Sequence, residues 1–323
     1  MTGNSPTDLV TEAFPADVAP MLATAGPLPG DGAGWAFETK WDGIRAIVAI
    51  ERGRVGIRTR TGNDVSDQFP ELSALGSAVD GHSVVLDGEV VAFGADGLPS
   101  FHQLQHRLGL SRSAAALRSR TIPVLYVYFD LLHLDGVSTR PLALRDRRKL
   151  LTQLDIEDGP AWRESGLHLD GAVLHGVTRE AGLEGVVAKQ LDSPYLPGTR
   201  SRSWIKVKHL HIDDFVIGGW VPGDGRRLSS IGALLLGQRV SDSPGEQRLH
   251  WVGRVGTGFT DAELTELRRR LAALVTDASP FDRPVDDRRA VYVRPVLTAR
   301  VEYQAFTPDG LLRFASFQHL VDE

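Results

Sequence analysis

Lys40-Trp41-Asp42-Gly43-Ile44-Arg45 is the stretch on which the reading of this chain turns. It sits among 323 residues that include thirty-one arginines and only five lysines. On a solvated surface either cation serves, so a lysine kept in so arginine-rich a chain invites a chemical reason. Arginine cannot be deprotonated in a protein, whereas a lysine amine can lose its proton and become a nucleophile. Nearby cations or desolvation favour that neutral form. Arg45 is close in sequence, and a tight turn at Asp42-Gly43 directs Lys40 and Arg45 toward one pocket. Lys206 and Lys208 alternate, so on a strand they share one face and are candidates to converge on it. Alone, Lys40 reads better as an exposed charge in a hairpin, so the nucleophile reading depends on its company.

Outward from this stretch, Arg45 to Ile50 and Val55 to Arg58 read as two strands joined by Glu51-Arg52-Gly53-Arg54, a hairpin signal. Residues 1 to about 34, rich in Pro, Gly, Ala and Asp, read as an irregular lead-in. Ser83 to Phe93 reads as a strand pair or one bent strand, and Val124 to Leu132 as a buried strand. Helical spacing covers Ser100 to Leu108, Ala114 to Arg118, Leu142 to Leu154 and Gly171 to Gly182, with a strand at Val186 to Lys189. After Lys208 the character changes to short strands: Phe215 to Val221, Ile231 to Leu236, Leu249 to Val255, Val291 to Val293, Ala299 to Phe306 and Leu311 to Arg313. One helix, Thr260 to Val275, interrupts them, with Thr260 and Glu263 forming a capping box. The expectation is an α+β chain of two domains, residues 1–209 and 210–323, the second a small β-barrel of the OB type.

Composition narrows the function classes. With no cysteine, disulfides, thiol catalysis and Cys-ligated zinc are excluded, and a reducing cytoplasm fits. No apolar run approaches membrane-spanning length, and no signal peptide is evident. The net charge of −5 gives no whole-chain attraction to nucleic acid, so phosphate contacts must come from local clusters such as Arg52 to Arg60, Arg140 to Lys149 and Arg200 to Lys208. For any one cluster a solvated face is an equally good reading. The ten histidines show no metal-ligand spacing.

Lys40 has company. Thr59-Arg60 with Gly62, Asp87-Gly88-Glu89, Tyr128-Phe129-Asp130, Glu184 to Lys189 and Trp204-Ile205-Lys206-Val207-Lys208 follow it in order. Together with Lys-x-Asp-Gly-x-Arg this set resembles the covalent nucleotidyltransferases. Met21-Leu22-Ala23, Ser100 to Gln105 and Gly253 to Phe259 resemble the bacterial ATP-dependent DNA ligases of the end-joining type. The resemblance spans nearly the whole chain and implies an adenylation domain followed by an OB-fold domain. It implies that Lys40 attacks the α-phosphate of ATP, that the AMP passes to the 5′-phosphate of nicked DNA, and that the 3′-hydroxyl then closes the nick. Lys206 and Lys208 would contact the α-phosphate, and Glu89 and Glu184 would hold Mg²⁺ or Mn²⁺. Arg45 and Glu89 would hold the ribose. Phe129 and Val187 would sandwich adenine, Glu38 would accept from its 6-amino group, and Lys189 would edge the nucleotide pocket. Arg60 would meet the phosphate of AMP or of the nick.

The closing motif departs from this pattern. Arg313 and Phe317 are kept, but Val321 stands where an arginine is expected and the chain lacks the lysine expected at its end. Those cations would orient pyrophosphate as leaving group, so the expected loss falls on lysine adenylation and spares nick sealing by a preformed adenylate. Two alternatives follow: a nick- or end-binding module with weakened adenylation, and an RNA ligase or capping-type guanylyltransferase. The expected setting is a monomer in the cytoplasm, at the nucleoid, acting on nicked or broken double-stranded DNA. Polymerase or end-binding partners would act in trans.

Overall fold

A computed structural model describes residues 10–30, 34–224, 230–239, 248–307 and 309–321. The chain divides into two compact units, Met1–Lys208 and His209–Glu323.

In the first unit, the strand Ile44–Glu51 pairs antiparallel with Arg54–Thr59 through a turn in which Arg52 and Gly53 have positive φ (52° and 72°). Two successive left-handed residues make a turn whose twist matches that of the strands it joins. On its other edge Ile44–Glu51 pairs with Val84–Ala92, which pairs in turn with Val124–Leu134. The segment Ser83 to Phe93 is thus one strand, and its register against Val124–Leu134 shifts at Val85/Leu86 and again at Asp87/Gly88. A Cβ at Gly88 would meet the Tyr126 ring at 2.5 Å and the Val127 carbonyl oxygen at 2.6 Å, so glycine is required at that close approach. Val137–Ser138, Val10–Thr11 and Trp162–Glu164 complete a seven-stranded sheet.

A second, four-stranded sheet runs Leu22–Ala25, Arg200–Lys208, Gly185–Gln190, Trp35–Thr39. The lead-in is therefore not irregular throughout, because Val10–Thr11 and Leu22–Ala25 each add an edge to a sheet. Both are short strands recruited by distant partners, which local composition does not reveal.

Alternation along Ile44–Glu51 decides how the layers meet. Ala46, Val48 and Ile50 pack into a core with Leu86, Val90 and Tyr126. Ile47 faces the other way and packs with Val85, Phe129, Leu132, Met21, Tyr195 and Trp204. Trp204 belongs to the four-stranded sheet, so this second cluster joins the two sheets. The Arg140 to Lys149 cluster is only partly solvated. Arg147 is fully buried and bonded to both oxygens of Asp130 at 2.8 and 2.9 Å, and Arg148 is buried beside it.

In the second unit the long strand His211–Pro222 is central. Ile231–Arg239 and then Leu249–Val255 lie on one edge. Thr298–Tyr303 occupies one half of the other edge and Val291–Val293 the remaining half. Ser316–Val321 pairs with Thr298–Tyr303, and Val275–Thr276 with Val291–Val293. The helix Asp261–Ala272 starts at the expected capping box, in which Thr260 and Glu263 satisfy each other's backbone N–H groups, and it buries Leu267 and Leu271 in this unit's core. The expected barrel does not close among the described residues, for no ladder joins Leu249–Val255 to the opposite end of the sheet. The edge of His211–Pro222 is divided, two short strands sharing one long neighbour. Ala299 to Phe306 is likewise divided, into Thr298–Tyr303 and Ala305–Phe306, the latter paired with Leu312–Arg313. Asp322 and Glu323 lie outside the described residues.

Candidate active site

Register in the four-stranded sheet builds one wall. Val187 is opposite Glu38 on one side and Lys206 on the other, so these three side chains lie abreast on one face. Lys189 and Trp204, two residues along their strands, are opposite each other on the same face. In the seven-stranded sheet Arg45 is directly opposite Glu89. Lys40 follows the strand Trp35–Thr39 and is tied by its backbone N–H to the Gly185 carbonyl oxygen at 2.9 Å. A Cβ at Gly185 would lie 2.0 Å from the Val207 carbonyl oxygen, so this anchor needs glycine.

These elements enclose a cavity of about 220 Å³. Of the residues singled out from sequence, Glu38, Lys40, Arg45, Arg60, Glu89, Phe129, Val187, Lys189 and Lys206 line it. Glu184 and Lys208 join through contacts: one Glu184 oxygen is ion-paired with Lys40 Nζ and the other with Lys208 Nζ at 2.9 Å. A second cavity shares Arg45, Arg60 and Glu89 with the first and is otherwise edged by polar groups including Thr59, Thr61, Asn63 and Gln68. Arg313 lies in the second unit, on the strand Leu312–Arg313, with its guanidinium carbon 5.2 Å from the Phe314 ring centroid.

The electrostatics are those of a partly dehydrated ionic cluster. Burial pushes the Glu89 carboxyl up to about 7, against the pull of Arg45 and Lys40. Burial acts the same way on Glu184, but Lys40 and Lys208 outweigh it and hold that carboxyl below the usual range. Burial, then the charges of Lys208 and Lys40, lowers the Lys206 ammonium pKa. Burial lowers that of Lys189 despite its 2.7 Å bond to Glu38. Burial opposes the charge on Arg45 too, yet Asp87 prevails and raises it above an ordinary arginine.

Arg45 is fixed from several sides. Its Nε and Nη2 donate to the two oxygens of Asp87 at 2.5 and 2.6 Å, and Nη2 also reaches the Met21 carbonyl oxygen at 3.2 Å. Its guanidinium carbon lies 4.6 Å from the Phe129 ring centroid, and Lys189 Nζ lies 4.0 Å from the same ring. Phe129 is thus a cavity-wall aromatic that already carries two cations. Fully buried Asp87 also accepts from the Tyr195 hydroxyl at 2.6 Å.

Three buried polar atoms on residues lining this cavity have no hydrogen-bond partner: Glu38 Oε1, Trp41 Nε1 and Trp204 Nε1. An orphaned carboxylate oxygen is costly in a protein interior unless something fills it. Among the described residues no group of three or more Asp, Glu, His or Cys is gathered to hold a metal ion. Glu89 and Glu184 are carboxylates that both feel the charge of Lys40. A hard divalent cation is commonly held by one or two carboxylates with water and substrate phosphate completing its shell, and this pair fits that mode.

Sequence reasoning missed Trp41, Arg200 and Trp204 as lining residues, Tyr195 as the partner of Asp87, and Arg148 as the support of the Phe129 backbone. Tyr195 lies between the motifs Glu184–Lys189 and Trp204–Lys208 and carries no local signal, while Arg200 was noted only as one end of a cationic cluster. Trp204 and Trp41 stand inside motifs in which other residues carry the chemistry. Among the described residues no helix is long and apolar enough to cross a membrane.

Comparison with known proteins bears on this geometry. The family model "ATP dependent DNA ligase domain" matches residues 20–208, and "ATP dependent DNA ligase C terminal region" matches residues 227–323. The chain is 44% identical over 308 residues to the multifunctional non-homologous end joining DNA repair protein LigD of Mycobacterium tuberculosis, covering 94% of this chain and 38% of that protein. It is 45% identical over 312 residues to LigD of Mycolicibacterium smegmatis, covering 95% and 39%. The chain therefore spans about two fifths of the length of these relatives. Its fold is similar to the solved ligase domain of M. tuberculosis LigD (TM-score 0.55, 42% identity, 95% of each chain). It is likewise similar to a mycobacterial DNA ligase D solved with ATP and MES (TM-score 0.55, 41% identity, covering 95% and 96%).

Proposed function

This chain belongs to the ATP-dependent DNA ligase family, and from that membership we propose that it seals nicks in double-stranded DNA through a lysyl-AMP intermediate on Lys40. The observation that carries this reading is the gathering of Lys40, Lys206, Lys208 and Glu184 at a cavity whose wall also holds the unpaired oxygen of Glu38.

In the first step Lys40 Nζ, having released a proton to solvent, forms a bond to the α-phosphorus of ATP and pyrophosphate leaves. Lys206 and Lys208 neutralise charge on that phosphate, a role for compact cations. In the second step an oxygen of the DNA 5′-phosphate displaces Lys40, giving a DNA-adenylate with the lysine amine restored. In the third, the 3′-hydroxyl attacks that 5′-phosphate and AMP leaves. Positioning carries most of the catalysis in transfers of this kind. Arg45, locked on Asp87 and opposite Glu89, would hold the ribose together with that carboxylate. Val187 and Phe129 bound the space for the base, and Arg60 faces both cavities, where it serves the AMP phosphate or that of the nick. Mg²⁺ or Mn²⁺ held by Glu89 and Glu184 would supply further charge neutralisation at the phosphates.

Residues 1–209 are then the adenylation domain and residues 210–323 the OB-type domain, with Arg313 acting on the ATP phosphates. The end-joining relatives favour a role in repair of broken DNA. Incubation of the purified protein with ATP, Mg²⁺ and a singly nicked duplex tests the proposal. Sealed product is expected, and its absence with both Mg²⁺ and Mn²⁺ would overturn it.

One observation supports a step-selective variant of this reading. Val321, where the family pattern leads one to expect arginine, is paired with Thr298 in the terminal ladder, so an apolar residue fills that position. Pre-adenylated nicked DNA separates the two versions. A step-selective enzyme seals it quickly while using ATP slowly, whereas an unimpaired ligase shows no such gap.

A further inference from the structure

Glu38 is only 2% exposed, and its two oxygens are treated differently. Oε2 accepts from Lys189 Nζ at 2.7 Å. Oε1 lies 3.9 Å from Arg148 Nη1, which is an ion pair but too long for a hydrogen bond, and it has no hydrogen-bond partner.

Arg148 is held short of Oε1 by the bonds that its guanidinium makes elsewhere. Nη1 donates to the Phe129 carbonyl oxygen at 2.9 Å and Nη2 to the Ser165 carbonyl oxygen at 2.5 Å, and Nη2 is also ion-paired with Glu164 at 3.0 Å. The guanidinium therefore supplies positive potential at Oε1 without using its lone pairs. Two buried cations flank Glu38 in a desolvated wall, and one oxygen stays free to accept. The same guanidinium fixes the backbone of Phe129, the aromatic on that wall.

We propose that Arg148 is a positioning residue for nucleotide selection: it holds the Glu38 carboxylate and the Phe129 backbone so that Oε1 accepts a hydrogen bond from an exocyclic amino group at position 6 of a purine. The inference rests on the ligase reading above and deepens it by assigning base selection to a residue that does not itself touch the base. A purine with hydrogen at position 6 would leave Oε1 unpaired.

The test compares lysine nucleotidylation by ATP with that by purine riboside 5′-triphosphate, which lacks only the 6-amino group. Wild type is expected to favour ATP in kcat/KM by about 10- to 100-fold, the range of one hydrogen bond to a charged acceptor. In Arg148→Met that ratio falls toward unity through a higher KM for ATP, while use of the analogue falls much less, by the part that Phe129 contributes to either purine. Arg148→Lys, which keeps the charge but cannot span both carbonyls, gives an intermediate ratio. A merely structural role would lower both nucleotides equally, and that result, or an unchanged ratio, overturns the proposal. If the methionine variant does not fold, the lysine variant decides by the same criterion. Wild type that labels with ATP but does not discriminate overturns this inference alone. Wild type that does not label with ATP overturns the ligase reading itself.

Discussion

Glu184 divides its carboxylate between two lysines, holding Lys40 with one oxygen and Lys208 with the other. The amine proposed as nucleophile and a cation proposed to meet the α-phosphate are therefore held by one carboxylate. Glu184→Gln keeps the shape and removes the charge. Lysine adenylation should fall on the order of 100-fold, the scale of losing one preorganised electrostatic contact. Single-turnover labelling with ATP measures it, and a rate within a few-fold of wild type would show that the pairing is incidental.

Glu89 gives the pH dependence. Its carboxyl titrates near 7 because burial outweighs Arg45 and Lys40. If its ionised form holds the metal, adenylation at low metal concentration rises with pH through about 7, and Glu89→Gln loses that rise. Stability moves the opposite way. The folded-state pKa lies above the ordinary 4.5, so the folded protein holds the extra proton between 4.5 and about 7. This contribution is complete below 4.5 and is lost as pH rises through about 7. Urea unfolding in metal-free buffer should show the decline in wild type and a flatter profile in Glu89→Gln.

Two motif glycines are required by space. A Cβ at Gly43 would lie 2.2 Å from the Val90 carbonyl oxygen, and one at Gly88 would strike the Tyr126 ring and the Val127 carbonyl. Backbone cannot yield as a flexible side chain does, so Gly43→Ala and Gly88→Ala should each cost about 1–3 kcal/mol. Urea denaturation checks this, and wild-type stability in either variant would contradict the packing described.

Arg45→Lys tests the buried pair with Asp87. A lysine cannot reproduce the two parallel bonds, so Asp87 is left partly unsatisfied beside Tyr195. A loss of about 1–3 kcal/mol in unfolding free energy is expected from equilibrium denaturation, together with a higher KM for ATP in the labelling assay. A lysine variant as stable as wild type would show that the paired geometry contributes nothing beyond charge.

Much of this site was legible in the sequence because its residues come in short, spaced motifs. Lys40, Arg45, Glu89 and Lys206 line one cavity as their motif membership implied. The abreast placement of Glu38, Val187 and Lys206 was not legible, since it depends on register between strands, two of them about 150 residues apart in sequence. Arg148 shows the other limit. In a helix of mixed charge it reads like a solvated arginine, and only the fold reveals that its guanidinium is buried among carbonyl oxygens. The short strands Val10–Thr11 and Leu22–Ala25 were hidden for the same reason, their partners being remote.

Lys40 is the residue proposed to carry the AMP. Incubating the full chain with ATP and Mg²⁺, digesting it and mapping the adduct by mass spectrometry tests this most directly. The account predicts one AMP on the peptide containing Lys40, with no label in Lys40→Ala or Lys40→Arg. AMP attached to another residue, or labelling that persists in Lys40→Ala, would contradict it.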